Sequence, residues 1–261
     1  MKRILVKPDF EQIPSVFHSY LRKACIYDSR CSAEADVLFI DLDGGYFLKS
    51  APKGSLCDEA AMTDYFYRKG LSAPVIAYES IERDWLLTAA LQGEDCLFEA
   101  YTDFPARLCD TTATLLRMLH ETPSAHCPVP DRTADLLATA LENYRLGKYD
   151  QSMFPDNWGY ASAEEALRVI QRDGGYLKSD TLLHGDYCLP NIILNDWRFS
   201  GFIDLGNGGV GDRHLDLFWG IWSLWFNLKT DRYRERFLDV YGREMVNEDV
   251  FPVIAALEVF L

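Results

Sequence analysis

Three side chains in the last third of the sequence have the types and spacing that phosphoryl transfer requires. They are Asp186 in His184-Gly185-Asp186, Asn191 five residues on, and Asp204 in Phe202-Ile203-Asp204-Leu205-Gly206. A transferred phosphoryl group needs a carboxylate to orient and deprotonate the acceptor hydroxyl, and oxygen ligands to hold Mg²⁺ against the phosphates. Asp186 is the candidate base. Asn191 is a neutral carbonyl ligand and opens the apolar run Ile192-Ile193-Leu194, which stops at Asn195-Asp196. A second run, residues 199–205, comes back carrying Asp204, so a hairpin of this length returns Asp204 close to Asn191. Mg²⁺ takes few protein oxygens and keeps waters and phosphates as its other ligands, so one Asn and one Asp suffice.

Each piece alone has a bland reading: a His-Gly-Asp turn in which Asp186 caps a helix, or a strand-end Asp that is only solvated. The combination is what is specific. His184 is expected to be a structural group bonded to the loop backbone. Gly206-Asn207-Gly208-Gly209-Val210-Gly211 also satisfies G-x-G-x-x-G after a strand, the fingerprint of dinucleotide binding. That fingerprint requires a βαβ unit, and no convincing parallel strand follows the helical stretch that begins near Asp212. The glycines are therefore expected to shape a flexible loop after the metal site.

The elements that must carry these groups lie upstream. Val37-Leu38-Phe39-Ile40 and Tyr46-Phe47-Leu48-Lys49 flank Asp43-Gly44-Gly45, a strand, tight turn and strand. Residues 57–69 have helical composition and end at Gly70, a C-cap signal. Residues 73–78 and 84–88 read as two more strands, and past Gln92-Gly93 the pattern turns helical, most clearly over 111–120 and 133–143. Lys49 ends a strand from which an ammonium can reach nucleotide phosphates, and Glu59, in the first turn of the next helix, can hold that ammonium by an ion pair. The fold class is thus α+β and bilobal. Residues 1–91 form a small antiparallel-sheet N-lobe with a helix, for nucleotide binding, and residues 92–261 form a larger, mostly helical C-lobe for catalysis and substrate binding.

Length and composition fit one or two domains: 261 residues, 48% hydrophobic, enough to bury a sizeable core. Twenty-six basic against 40 acidic residues give a net charge of −14, which argues against nucleic acid or an anionic membrane as partner and would attract a cationic small molecule. Seven cysteines, odd in number and without a Cys-x-x-Cys pair, read as reduced cytosolic thiols. The N-terminal apolar run is too short for a signal peptide, and residues 218–228 are about half of the roughly 20 residues that a spanning helix needs. A cytoplasmic protein, monomeric or weakly dimeric, is expected.

At these residues the chain resembles the aminoglycoside 3'-phosphotransferases, the kanamycin and neomycin kinases, which are similar in fold to protein kinases. Ser200-Gly201-Phe202-Ile203-Asp204-Leu205-Gly206 resembles the family's metal-binding strand, and Asp212-Arg213-His214-Leu215-Asp216-Leu217 its following acidic motif. Asp58-Glu59-Ala60-Ala61 and Arg83-Asp84-Trp85-Leu86-Leu87 also look like family segments, so the match spans about residues 31–260. The resemblance implies an ATP-dependent kinase, with GTP possible as donor and Mg²⁺ as metal, acting on an aminoglycoside and conferring antibiotic resistance. It implies that Phe47 stacks on adenine, that Ser32 is the phosphate-contacting loop hydroxyl, and that the backbone of Ala89 and Leu91 bonds the adenine edge. The Lys49 to Glu59 segment is a few residues shorter than in many relatives.

On the substrate side the resemblance implies that Asp156, Glu258 and the carboxylate of Leu261 bind the amines. Three departures stand out: Val259 at a place usually acidic, Asn207 for a common Arg, and Phe226 where some relatives carry a Glu. Each charged hydrogen bond lost would weaken binding by roughly 1–3 kcal/mol. Phe218, Trp219, Trp222, Trp225 and Phe226 offer an alternative, a box for a quaternary ammonium as in a choline-type kinase. Their spacing of three and four is equally that of a buried helix face, which is the expectation here. A nucleotide-binding pseudokinase is the other alternative. Against it, Lys49, Asp186, Asn191 and Asp204 are all present.

Overall fold

The computed structural model describes residues 3–30, 35–149 and 159–261. Contacts group the chain into two compact units, Met1–Phe98 with Pro190–Asn207, and Glu99–Leu189 with Gly208–Leu261. This grouping is discontinuous in sequence, unlike a single cut after Leu91.

The first unit is built on a six-stranded antiparallel sheet. Its strands are β1 (Ile4–Leu5), β2 (Cys25–Asp28), β3 (Asp36–Asp41), β4 (Tyr46–Pro52), β5 (Val75–Ser80) and β6 (Arg83–Ala89), in the order β1-β2-β3-β4-β6-β5. The expected β3–β4 hairpin is present, and the strands expected at 73–78 and 84–88 are found as β5 and β6. Because side chains alternate across a strand, the two faces have different clients. Leu48, Trp85 and Leu87 pack with Ile26 and Ile40 against Phe17 and with Leu21 of the short helix α1 (His18–Leu21). Ala51 and Leu86 pack against Leu56 and, on helix α2 (Cys57–Arg68), Ala60. Lys49 lies opposite Leu86 in the β4–β6 ladder and so shares the face that meets α2.

Asp84 fixes the start of α2. Its carboxylate accepts the Leu56 N–H at 2.9 Å and the Ser80 hydroxyl at 2.7 Å. Burial alone would raise its pKa, but the N–H donors of Gly54 and Leu56 together with Ser80 and Tyr78 take it down to about 2. The far end closes as a Schellman motif: Gly70, at φ 73°, donates to Tyr67, and Leu71 donates to Phe66.

The same unit holds a three-stranded antiparallel sheet of β7 (Glu94–Asp95), β9 (Ile192–Asn195) and β10 (Arg198–Phe202), in the order β10-β9-β7. Asp196 and Trp197, at φ 49° and 64°, make the two-residue turn between β9 and β10, the twist-matched type I′ geometry. Gly93 has φ 118°, and a Cβ there would come within 2.1 Å of the Leu194 carbonyl, so no other residue fits this crossing.

The second unit is mainly helical: α3 (Glu99–Thr102), α4 (Pro105–His120), α5 (Arg132–Leu146), α6 (Ala163–Asp173), α7 (His214–Leu228), α8 (Arg234–Tyr241) and α9 (Phe251–Glu258). Leu108, Thr112, Leu115, Leu116 and Leu119 recur at three and four along α4 and are buried. Ala140, Ala166, Ile170, Leu215, Ile254 and Leu257 gather α5, α6, α7 and α9 into one core. Two short strands, β8 (Thr181–Leu183) and β11 (Gly209–Gly211), pair antiparallel within it.

That last strand corrects an expectation. The second half of the glycine run is an ordered, buried strand rather than a flexible loop. A Cβ on Gly211 would come 2.6 Å from the Leu183 side chain, so the glycines permit the close approach of β8 and β11. No strand follows α7 among the described residues, which leaves G-x-G-x-x-G without its βαβ unit. No helix among them is long and apolar enough to cross a membrane.

Candidate active site

In the first unit the sheet and α2 bring together groups that are far apart in sequence. Lys49 Nζ lies 2.7 Å from Glu59 Oε2 and 2.7 Å from Asp204 Oδ1. The Lys49 side chain is 22% exposed and that of Glu59 11%, whereas that of Asp204 is 50% exposed. Burial works to lower the Lys49 pKa, but the two carboxylates outweigh it and hold the ammonium above its ordinary range. An ammonium kept charged and aimed by two acids is what a phosphate clamp requires.

Asp204 does not end β10 but follows it, in the left-handed region at φ 62°. One residue, Ile203, separates it from the last paired residue, Phe202. Asn191 is buried, 7% exposed, at the end of the turn that leads into β9. Its carbonyl accepts the Ile203 N–H at 3.0 Å, so the hairpin does return the Asp204 segment to Asn191. One amide and one carboxylate are oxygen donors suited to a hard cation such as Mg²⁺. Among the described residues no cluster of three or more His, Cys, Asp or Glu side chains could hold a metal unaided. A metal here must take water and phosphate oxygens as well, which fits Mg²⁺.

Asp186 belongs to the second unit, on the loop that leaves β8, and is partly exposed. The loop backbone is held from α7 by Asp216, which is wholly buried. Its carboxylate accepts the His184 N–H at 2.7 Å, the Gly185 N–H at 2.8 Å and His120 Nε2 at 3.1 Å. His120 Nδ1 faces the Tyr241 hydroxyl at 2.8 Å. These partners are all satisfied by a neutral imidazole with its proton on Nε2 and its Nδ1 accepting from tyrosine. Burial agrees, pushing His120 below its usual pKa and Tyr241 up to about 12. His184 is also buried, and its Nδ1 accepts the Asp186 N–H at 3.3 Å, a bond to the loop backbone. Further along, the Tyr187 hydroxyl donates to the Thr112 carbonyl of α4, and Ser223 of α7 accepts the Leu189 N–H. The loop is thus fastened on both sides of Asp186.

Asp216, His120 and Ser223 received no role from the sequence. A signal for Asp216 was present: an acid in the first turn of the otherwise apolar 214–228 segment is costly unless its oxygens are occupied.

The remaining positions are placed as follows. Phe47 lies on β4 against Phe39, with ring centroids 5.1 Å apart. Ala89 ends β6, and its N–H is already committed to the Pro74 carbonyl. Leu91 covers Gly201, where a Cβ would meet its methyl carbon at 2.7 Å. Ser32 and Asp156 lie outside the described residues. Glu258 closes α9 and accepts Trp219 Nε1 at 3.1 Å. Burial pushes the Glu258 carboxyl up to about 8, the indole bond opposes this, and the charge of Asp186 adds to it. Leu261 is 47% exposed.

The aromatic residues of α7 meet the core-packing expectation in part: Phe218 packs against the core and Trp219 and Trp222 are partly buried, but Trp225 and Phe226 are not. The buried side of the helix is Leu215, Leu217, Gly220, Ser223 and Leu224, while Trp225 and Phe226 are 49% and 45% exposed.

A sheet-borne lysine clamped by two acids, an Asn and Asp pair on a hairpin, and an aspartate on a braced loop are the residue set of a kinase-type phosphotransferase. The chain belongs to the phosphotransferase enzyme family, which it matches over residues 32–255. It is 46% identical to a probable aminoglycoside 3'-phosphotransferase of Lactococcus lactis subsp. lactis (strain IL1403), over 97% of this chain and 96% of that protein. Among solved structures it is similar to an aminoglycoside 3'-phosphotransferase of type VIII, with TM-score 0.74, 25% identity and coverage of 90% and 91% of the two chains. A Streptomyces rimosus aminoglycoside phosphotransferase in complex with ADP and streptomycin shares the fold, with TM-score 0.69 at 22% identity over 85% of this chain and 90% of that one. The kinase-like α+β fold expected from the sequence is the fold of these proteins.

Proposed function

We propose that the protein is an ATP-dependent kinase that transfers the γ-phosphate to a hydroxyl of an aminoglycoside, the 3'-hydroxyl, and so confers resistance in the cytoplasm. The observation that carries the kinase reading is the Lys49 ammonium held at 2.7 Å by both Glu59 and Asp204. For the acceptor, Asp186 on its braced loop has within electrostatic reach a second acid, Glu258, whose ionisation burial disfavours. Such a pair suits an acceptor that bears a hydroxyl for one acid and an amine for the other. The 46% identical relative named as a probable aminoglycoside 3'-phosphotransferase supports the choice of hydroxyl.

In this reading Asp186 orients the hydroxyl and takes its proton as the oxygen attacks. Lys49, positioned by Glu59, binds the α and β phosphates. Ser32 contacts them, Phe47 stacks on adenine, and the backbone at Ala89 and Leu91 bonds the base edge. Since the Ala89 N–H is occupied, the contact at Ala89 falls to its carbonyl. Asn191 and Asp204 would hold Mg²⁺, which would supply positive charge against the phosphate oxygens. Asp156 and Glu258 take the amines.

Replacing Asp186 by Ala should lower kcat on kanamycin by roughly 10²–10⁴-fold while leaving ATP affinity nearly intact. Steady-state kinetics with a fluorescent ATP analogue read both quantities, and near-normal turnover would sink the base assignment. Choline tested in parallel decides against the quaternary-ammonium alternative if it stays unphosphorylated.

A further inference from the structure

Helix α7 carries rings that the catalytic frame does not use. Trp219, Trp222 and Phe226 recur at three and four, so they stand one above another along the helix. Trp219 meets Trp222 edge-on with centroids 5.3 Å apart, and Trp222 lies flat on Phe226 at 4.7 Å and 9°. At one end the array touches Glu258, which accepts Trp219 Nε1 at 3.1 Å. At the other end the Lys229 ammonium sits 4.2 Å from the centroid of Phe226. The rings therefore run from Glu258 to a face that already carries an ammonium.

We propose that Trp219, Trp222 and Phe226 form the wall against which the sugar faces and protonated amines of the aminoglycoside rest, cation–π attraction acting where some relatives would place a carboxylate. This rests on the aminoglycoside kinase reading and names the residues that set its specificity. The occupant follows from charge and shape. The protein is strongly acidic, at −14, Glu258 offers one buried carboxyl at the head of the array, and the stacked rings offer a broad electron-rich surface beyond it. A multiply charged aminosugar has both the amines and the flat C–H faces to use that surface. Lys229 competes with the substrate for the outer ring.

The competition gives the test a sign that damage to the fold does not imitate. The full-length protein, wild type and the variants Phe226→Leu, Trp222→Leu and Lys229→Gln, is assayed with MgATP on kanamycin and neomycin, with thermal melts confirming folded protein. Phe226→Leu and Trp222→Leu should raise KM roughly 3- to 30-fold, with kcat changing less. Lys229→Gln, which uncovers the ring, should lower KM. Wild-type activity with KM unmoved in both ring variants, or a raised KM in Lys229→Gln, overturns the inference and leaves the kinase reading standing. A wild-type protein inert on every aminoglycoside strikes the kinase reading itself, and the inference with it.

Discussion

A carboxyl group withdrawn from water gives up its ionisation unless something cationic joins it, and Glu258 is such a group. Its pKa in the folded chain is about 8, against an ordinary value near 4.5. The folded protein therefore holds a proton that the unfolded chain releases between those values. The sign follows: this contribution to stability is complete below about pH 4.5 and is lost as pH rises through about 8. Thermal melts of wild type should fall between pH 6 and pH 9 by more than those of Glu258→Gln, the difference amounting to a few kcal/mol. Equal slopes would show that Glu258 ionises freely. An aminoglycoside amine is expected to reverse the cost by supplying the missing cation. Lys49 is the opposite case. Its two carboxylates are already in place, so its charge is kept in advance of the nucleotide.

At the scale of elements, the joint that matters is β8, its loop and α7. Asp216 gives both carboxylate oxygens to loop N–H groups and one of them also to His120, so the backbone before Asp186 is held by a helix rather than by the loop itself. Asp216→Asn keeps the shape but turns an amide N–H₂ toward a donor. It should cost about 1–3 kcal/mol of stability and lower kcat well beyond tenfold, while ATP binding, which depends on Lys49, changes little. Denaturant melts and nucleotide titration on the same protein separate the two effects, and an Asn variant with normal turnover would remove Asp216 from the positioning role.

How much of this could be read in advance varied with how strongly each element prints itself in the side chains. The β3–β4 hairpin, α2 and the β9–β10 return were legible because alternation, turn residues and a glycine cap all agree there. β11 was not, since Gly209-Val210-Gly211 has almost no side chains to alternate, and its strand character comes from pairing with β8. The ring spacing on α7 showed correctly that the aromatics share a side. Which side is buried depends on α8, α9 and the Asp186 loop, and periodicity carries no information about them. Lys49, Glu59 and Asp204 were found as types at a spacing, and only the sheet register explains why Lys49 turns toward α2.

For the whole molecule, the excess of 40 acidic over 26 basic residues becomes a long-range field. A polycationic acceptor should be drawn in by it, and salt should screen the attraction over about 10 Å at 0.1 M. KM for neomycin, with more amines, should rise more steeply with KCl than KM for kanamycin, while kcat stays nearly constant. A salt-independent KM would mean that local contacts alone bind the substrate.

The most direct measurement is the regiochemistry of the product. Kanamycin is incubated with the protein, Mg²⁺ and ATP, and the product is read by phosphorus–proton NMR correlation beside a 3'-deoxy analogue. A single phosphate on the 3'-oxygen, with the deoxy analogue untouched, is the expected result. Phosphate on any other oxygen, or turnover of the 3'-deoxy compound, would contradict the 3'-kinase assignment.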